Sequence, residues 1–177
     1  MGLRRVVTAR DPSGASVIVS DGRPPRSHAY RTIPGLLEVL VWATDGPAGS
    51  GSADPTLVTA SYVPPPGGTR LIWLRFPPDA VFDDPSFDGA AARAEQVAVS
   101  PGLAERFEPD APGMHATPTV DYAVVIEGTL WLELDRGVET RLGPGDVVVQ
   151  NGTRHAWRNH GNQPATLLVV LVGDEPR

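Results

Sequence analysis

The chain has no cysteine among its 177 residues. That excludes disulfide staples, thiolate metal sites and cysteine nucleophiles. It lacks any run near the ~20 apolar residues that a membrane-crossing helix needs, and no apolar leader follows Met1 to Arg5. A protein of the cytoplasm, with no membrane partner, is therefore expected. Positive charge is short: 15 Lys and Arg stand against 21 Asp and Glu, a net charge of −6. A nucleic-acid partner would want a basic face, and no helix-turn-helix segment is present. No Gly-Lys-Ser/Thr follows the Gly-rich stretch Asp45 to Pro55, so that flexible loop is not a phosphate cradle. No nucleophile elbow surrounds any serine. Internal repeats and low-complexity blocks are also missing.

Glycine and proline are plentiful, at 19 each, and favour many turns between short strands over long helices. The length suits one domain with a real core. Arg4 to Ala9 and Ser16 to Ser20, joined by Asp-Pro-Ser-Gly, read as an N-terminal hairpin. A loop from Gly22 to His28 follows, with His28 at the surface. Leu36 to Ala43, Leu57 to Val63 and Thr69 to Phe76 read as strands. In the last of these, Leu71, Trp73 and Arg75 share one face, and Arg70, Ile72, Leu74 and Phe76 the other. The segment 77–110 breaks the β pattern. Asp88 is placed to cap a helix through Ala-Ala-Ala-Arg-Ala-Glu-Gln-Val. Ser100-Pro101 reads as the start of a second short helix running to Phe107.

The stretch Gly113 to Asn159 carries the chemistry. Val120 to Ile126 and Thr129 to Leu134 read as a hairpin turning at Glu127-Gly128. Val125 would then face Leu130, and Asp121 would share an apolar inner face with Ala123, Val125, Leu130, Leu132 and Leu134. An inward carboxylate needs compensation, and His115 is a candidate partner, directly or through a metal. A second hairpin is expected to run from Val147 to Gln150, turn at Asn151-Gly152, and return from Arg154 to Asn159. His155, Trp157 and Asn159 would share one of its faces. Trp131 and Tyr122 would face away from the interior. His160 sits in a polar turn. Thr166 to Val172 is apolar at almost every position, as expected of a strand covered on both faces.

These two segments resemble the cupin superfamily. That family is known by a first motif of glycine, His-x-His, glutamate and glycine, and a second of glycine, Pro-x-Gly, histidine and asparagine. Here the first maps onto His115, Thr117, Asp121 and Gly128, the second onto Gly145, Gly152, His155 and Asn159. The departures are Thr117 for the second histidine, Asp121 for the glutamate and Asn151 for the proline. The glycine ahead of the first motif is Gly113, close to His115. The resemblance implies an all-β, jelly-roll double-stranded β-helix: one cupin domain over 1–177, with N-terminal strands 1–76, the helical insertion 77–110 and a two-motif core 111–174. It further implies a barrel-mouth site, with His115, Asp121 and His155 as the reduced metal set. Iron, zinc, manganese and nickel all suit that set. His155 and Asp121 are the candidate catalytic pair. Thr117, Trp157, Arg75 and Trp73 are the candidate substrate contacts, with Arg75 a possible carboxylate anchor.

Three functions follow as expectations. The first is a metal-dependent cupin enzyme of small-molecule, secondary metabolism, of oxygenase, dehydratase or decarboxylase type. The second is a metal-free lyase or isomerase using His155 and Asp121 as acid and base. The third is a ligand-binding cupin without turnover. A homodimer built on the covered strands is expected with each.

Overall fold

The computed structural model describes residues 2–46 and 53–175. Of the Asp45–Pro55 loop, residues 47–52 lie outside the described ones. The described residues form eleven strands and one α-helix. They are β1 (Arg5–Arg10), β2 (Ser16–Gly22), β3 (Ser27–Ala29), β4 (Leu37–Thr44) and β5 (Thr69–Phe76), then α1 (Gly89–Val99). After it come β6 (Thr119–Glu127), β7 (Leu130–Glu133), β8 (Glu139–Leu142), β9 (Val147–Asn151), β10 (Ala156–Arg158) and β11 (Ala165–Gly173).

The strands make a six-stranded sheet in the order β3-β4-β5-β11-β6-β9, a three-stranded sheet β10-β7-β8, and the separate hairpin β1-β2. The core lies between the larger two sheets, which resemble a jelly roll. Leu40, Ile72, Val125, Leu130 and Leu167 are each almost fully buried there. The apolar inner faces pack because each removes hydrocarbon from water, at about 25 cal/mol for each Å².

The N-terminal hairpin forms as the sequence indicates. The two central hairpins do not. β6 pairs with β11 and β9, whereas β7 pairs with β10 and β8. Glu127-Gly128 and Asn151-Gly152 are corners at which the chain leaves one sheet for the other, and Val125 faces Leu167 rather than Leu130. The parity argument survives this correction, because Asp121, Ala123, Val125, Leu130 and Leu132 are all buried.

Leu57 to Val63 is not a strand. Asp54 accepts a hydrogen bond from the Thr56 amide, Pro55 occupies the first turn, and a 3-10 turn Pro55–Leu57 results. Leu57 and Val58 are exposed, and the Tyr62 amide bonds to the Pro101 carbonyl instead of to a ladder. Asp88 caps α1 as expected, accepting from the amides of Ala90 and Ala91. Ser100 is the C-cap of α1, and the turn beyond it is the short 3-10 segment Ala104–Arg106. Its hydroxyl donates to the buried Glu38, which also accepts from Tyr30. The insertion is thereby tied to β4.

Candidate active site

The first motif runs along the inner face of the approach to β6. Alternation places His115, Thr117, Thr119 and Asp121 on one side in turn, and Thr117, Thr119 and Asp121 are buried. The Thr117 and Thr119 hydroxyls are 2.6 Å apart and bonded to each other. The second motif supplies Gln150 at the end of β9 and His155 just before β10. Gln150 faces Asp121 across the β6–β9 ladder, and both are buried.

His115 and His155 form an isolated antiparallel bridge. Each main-chain N–H donates to the other's carbonyl, at 3.0 and 2.9 Å, and the ring centroids lie 4.4 Å apart. His115 Nδ1 is 3.0 Å from the Gly113 carbonyl, and His155 Nδ1 is 2.9 Å from the Thr153 carbonyl. A carbonyl can only accept, so Nδ1 carries the proton on both rings. The lone pair is then on Nε2 in both, and among the described residues nothing hydrogen-bonds to it. Burial pushes the His155 pKa down to about 4, and the neighbouring His115 adds to the effect. Burial also lowers that of His115, with Arg106 assisting and Glu108 opposing. Both rings are neutral at pH 7. Asp121 moves the other way: burial raises it to about 6, and the Thr119 hydroxyl offsets part of the shift.

The insertion covers the pair. The Phe107 ring meets His115 edge-on at 5.0 Å. Arg154, next to His155 in sequence, bonds to both Glu108 oxygens and to Asp135. Trp157, packed against the core, lies 6.1 Å from His155 in a T-shaped arrangement. An open groove of about 500 Å³ is lined by Thr153 and Arg154 together with Leu134, Asp135, Arg136 and Val138, and neither histidine lines it.

The sequence-derived residues divide. His115, His155 and Trp157 come together, and Thr117 is buried two residues from His115, bonded to Thr119. Arg75 does not join them: it is exposed, and Trp73 shares its outward face. The inner face of β5 is that of Arg70, Ile72, Leu74 and Phe76. Ile72, Leu74 and Phe76 pack into the core, and the buried Arg70 bonds to the carbonyls of Ser61, Thr44 and Thr69. Asn159 is a structural knot, donating to the Phe76 and Gln163 carbonyls. Gln150, Thr119 and Phe107 were not singled out in the sequence. Period-two alternation in Val147 to Gln150 carries the signal for Gln150, because Val148 and Gln150 share a face.

The expected metal set does not assemble as a set. Among the described residues, no group of three or more His, Asp or Glu side chains is placed to hold a metal ion. Two imidazoles with available Nε2 atoms are half of such a site, and a resident divalent metal calls for three or four protein donors. His115 and His155 would supply two of those donors to a metal bound there.

Residues 104–171 match the family model for the cupin domain. That stretch is a cupin domain. Strands β6 to β11 and both motif histidines lie inside or overlap the matched region. The cupin domain is similar to Oryzines biosynthesis cluster protein J of Aspergillus oryzae, at 54% identity over 66 residues, 37% of this chain and 37% of that protein. It is also similar to the cupin-domain-containing oxidoreductase fogC of Aspergillus ruber, at 40% identity over 81 residues, 42% of this chain and 40% of that protein. The chain thus spans two fifths or less of the length of these relatives. A solved double-stranded β-helix protein of Klebsiella pneumoniae aligns over 84% of each chain at 14% identity and a TM-score of 0.45.

Proposed function

We propose that this cupin-domain protein is an enzyme of secondary metabolism that moves a proton on a small organic carbonyl compound at the His115–His155 pair. The observation that carries this reading is the shared tautomer: both Nδ1–H groups are committed to backbone carbonyls, and both Nε2 atoms are left as bases. Two imidazoles this close take up one proton between them, since the first charge disfavours the second. His115, less buried than His155, is the better acceptor. His155 stays neutral and orients the substrate. Proton abstraction beside a carbonyl leads to isomerisation or to loss of a β-substituent, the lyase and isomerase chemistry that needs no metal. The biosynthesis-cluster names of the relatives support the metabolic setting. A cytoplasmic homodimer belongs to the same reading.

The test is proton exchange. A panel of small carbonyl compounds in D₂O is followed by NMR. The wild type is expected to accelerate loss of an α-proton from a member of the panel, and His115→Gln and His155→Gln to slow it by about 10²–10⁴-fold. A panel on which the wild type does nothing overturns the reading.

A second reading, oxidoreductase chemistry, is favoured by the names of several relatives. It requires a redox partner at the same pair. Near-stoichiometric metal lost in both histidine variants, together with oxygen consumed in step with substrate, would establish it in place of proton transfer.

A further inference from the structure

Asp121 and Gln150 face each other on neighbouring strands of one sheet, with 5% and 4% of their surfaces exposed. Each retains one side-chain atom with no hydrogen-bond partner: Oδ1 of Asp121, an acceptor, and Nε2 of Gln150, a donor. Facing residues of an antiparallel pair hold their Cβ atoms about 5 Å apart, so the two atoms belong to one small patch. They do not bond to each other. The Gln150 amide is fixed from its other end, because Oε1 accepts from the Thr153 hydroxyl at 3.0 Å. Turning the amide over would leave Nε2 to donate to the Thr153 hydroxyl, but would set Oε1 beside Asp121 Oδ1, an acceptor facing an acceptor. Thr153 also holds the His155 ring through its carbonyl. On the other strand, Asp121 continues the face that carries Thr119, Thr117 and His115. The patch and the histidine pair are therefore built by the same two segments, 115–121 and 150–155.

Burying an acceptor and a donor unpaired is costly, and folds retain such groups mainly where something else completes them. We propose that Asp121 and Gln150 form a donor–acceptor clamp for a planar H–X–C=O unit of the substrate, with X nitrogen or oxygen. Gln150 Nε2 donates to the carbonyl oxygen and Asp121 Oδ1 accepts from X–H. Lactams, primary amides and neutral carboxylic acids share this unit. The clamp gives Asp121 a role in recognition, in place of the metal ligation expected for its motif position. It rests on the reading of the histidine pair as the reacting centre, and it names the part of the substrate that is held rather than the part that reacts.

The experiment is a ¹⁵N NMR titration of the whole chain with benzamide, N,N-dimethylbenzamide and benzoic acid, on the wild type, Gln150→Met and Asp121→Leu. Benzamide is expected to move the Gln150 side-chain NH₂ resonance and to bind each variant at least ~10-fold more weakly than wild type. N,N-dimethylbenzamide, which lacks the donor, is expected to bind the wild type with a similar deficit. Benzoic acid binding that follows its neutral fraction would indicate acids, and benzamide binding without it would indicate amides. Gln150→Met is expected to keep or raise the melting temperature, because it removes an unpaired buried donor. A melting temperature several degrees lower would mean that Gln150 serves the fold, and would overturn the proposal. So would equal benzamide affinity in all three proteins, or no binding of benzamide or benzoic acid to the wild type. The readout is binding and not turnover, so the clamp can fail with proton transfer at the histidines intact, and the reverse.

Discussion

His155 and Asp121 share a buried site and titrate in opposite senses. The folded pKa of His155, about 4, lies below its unfolded value near 6.5. Between those limits the unfolded chain binds the extra proton, so the stability this neutral ring contributes is present above pH 6.5 and is lost as pH falls towards 4. The folded pKa of Asp121, about 6, lies above its unfolded value near 3.9. Its contribution is present below pH 3.9 and is lost as pH rises through 6. Each effect is ~3 kcal/mol at its limit, at 1.36 kcal/mol for each pKa unit, and over the shared window they largely cancel. Asp121→Asn should therefore lose stability relative to wild type as the buffer goes from pH 6.5 to pH 4. His155→Gln should gain over the same range. Denaturant titrations at a series of pH values give the two difference curves, and curves of the same sign would rule out this opposition. Alternation along a strand revealed the inward Asp121 and the shared face of His155 and Trp157. It could not choose between the faces of β5, because Leu71 and Trp73 are as apolar as Ile72 and Leu74 and each face carries an arginine. Nor could it show the histidine tautomers, which depend on carbonyls that only the folded loops bring near.

At the scale of elements, the central hairpins failed on partner choice, and the expected strand Leu57 to Val63 failed on identity. A tight Gly-containing turn between two β-prone runs describes a hairpin and also a corner between sheets. The difference lies in which distant strand offers its edge, and β11, far along the chain, takes β6. Gly128 marks the corner physically. Its φ is +77°, and a Cβ there would lie 2.7 Å from the Pro164 carbonyl oxygen and 2.8 Å from Ala165 Cα, at the start of that same β11. Gly137 has a similar φ of +70° with nothing within 4 Å. Alanine at Gly137 meets only the left-handed backbone cost, about 1–2 kcal/mol. Alanine at Gly128 adds a clash with backbone and should cost about 2–4 kcal/mol in all. Calorimetry should place the Gly128→Ala melting temperature below that of Gly137→Ala by about 2–4 °C for each further kcal/mol. Equal melting temperatures would mean that the corner is not tight. The helix in the insertion was legible because its cap is local, Asp88 to Ala90 and Ala91. The missing strand after Pro55 was not, because a run can be β-prone and still find no free edge.

Among the described residues, the whole molecule presents one face that is left uncovered. On the outer side of the six-stranded sheet, the register aligns Trp73, Leu168, Val124 and Val147 in one row, and Leu71, Val170, Tyr122 and Val149 in the next. Both rows are uncharged and apolar in a chain of net charge −6, and their exposure rises towards β9, where Val147 reaches 62% and Val149 53%. β9 ends the sheet, so apolar side chains and an open strand edge coincide, the combination that invites another chain. Val6, Ile18 and Val19 on the N-terminal hairpin are exposed as well. The hairpin is held to the barrel through Arg5, which bonds to the Val41 carbonyl and to Asp54 and lies over the Trp42 ring. A second copy of the chain is the expected occupant. Two such faces meeting across a two-fold axis are self-complementary, and neither brings like charges to the contact. Sedimentation velocity should show a dimer at micromolar concentration. Val147→Glu with Val149→Glu should give a monomer with an unchanged far-ultraviolet circular dichroism spectrum, because both side chains point away from the core. A wild-type monomer would leave this face to solvent. A double variant that stays dimeric would move the interface elsewhere, with the N-terminal hairpin and its exposed Ile18 as the next surface to alter.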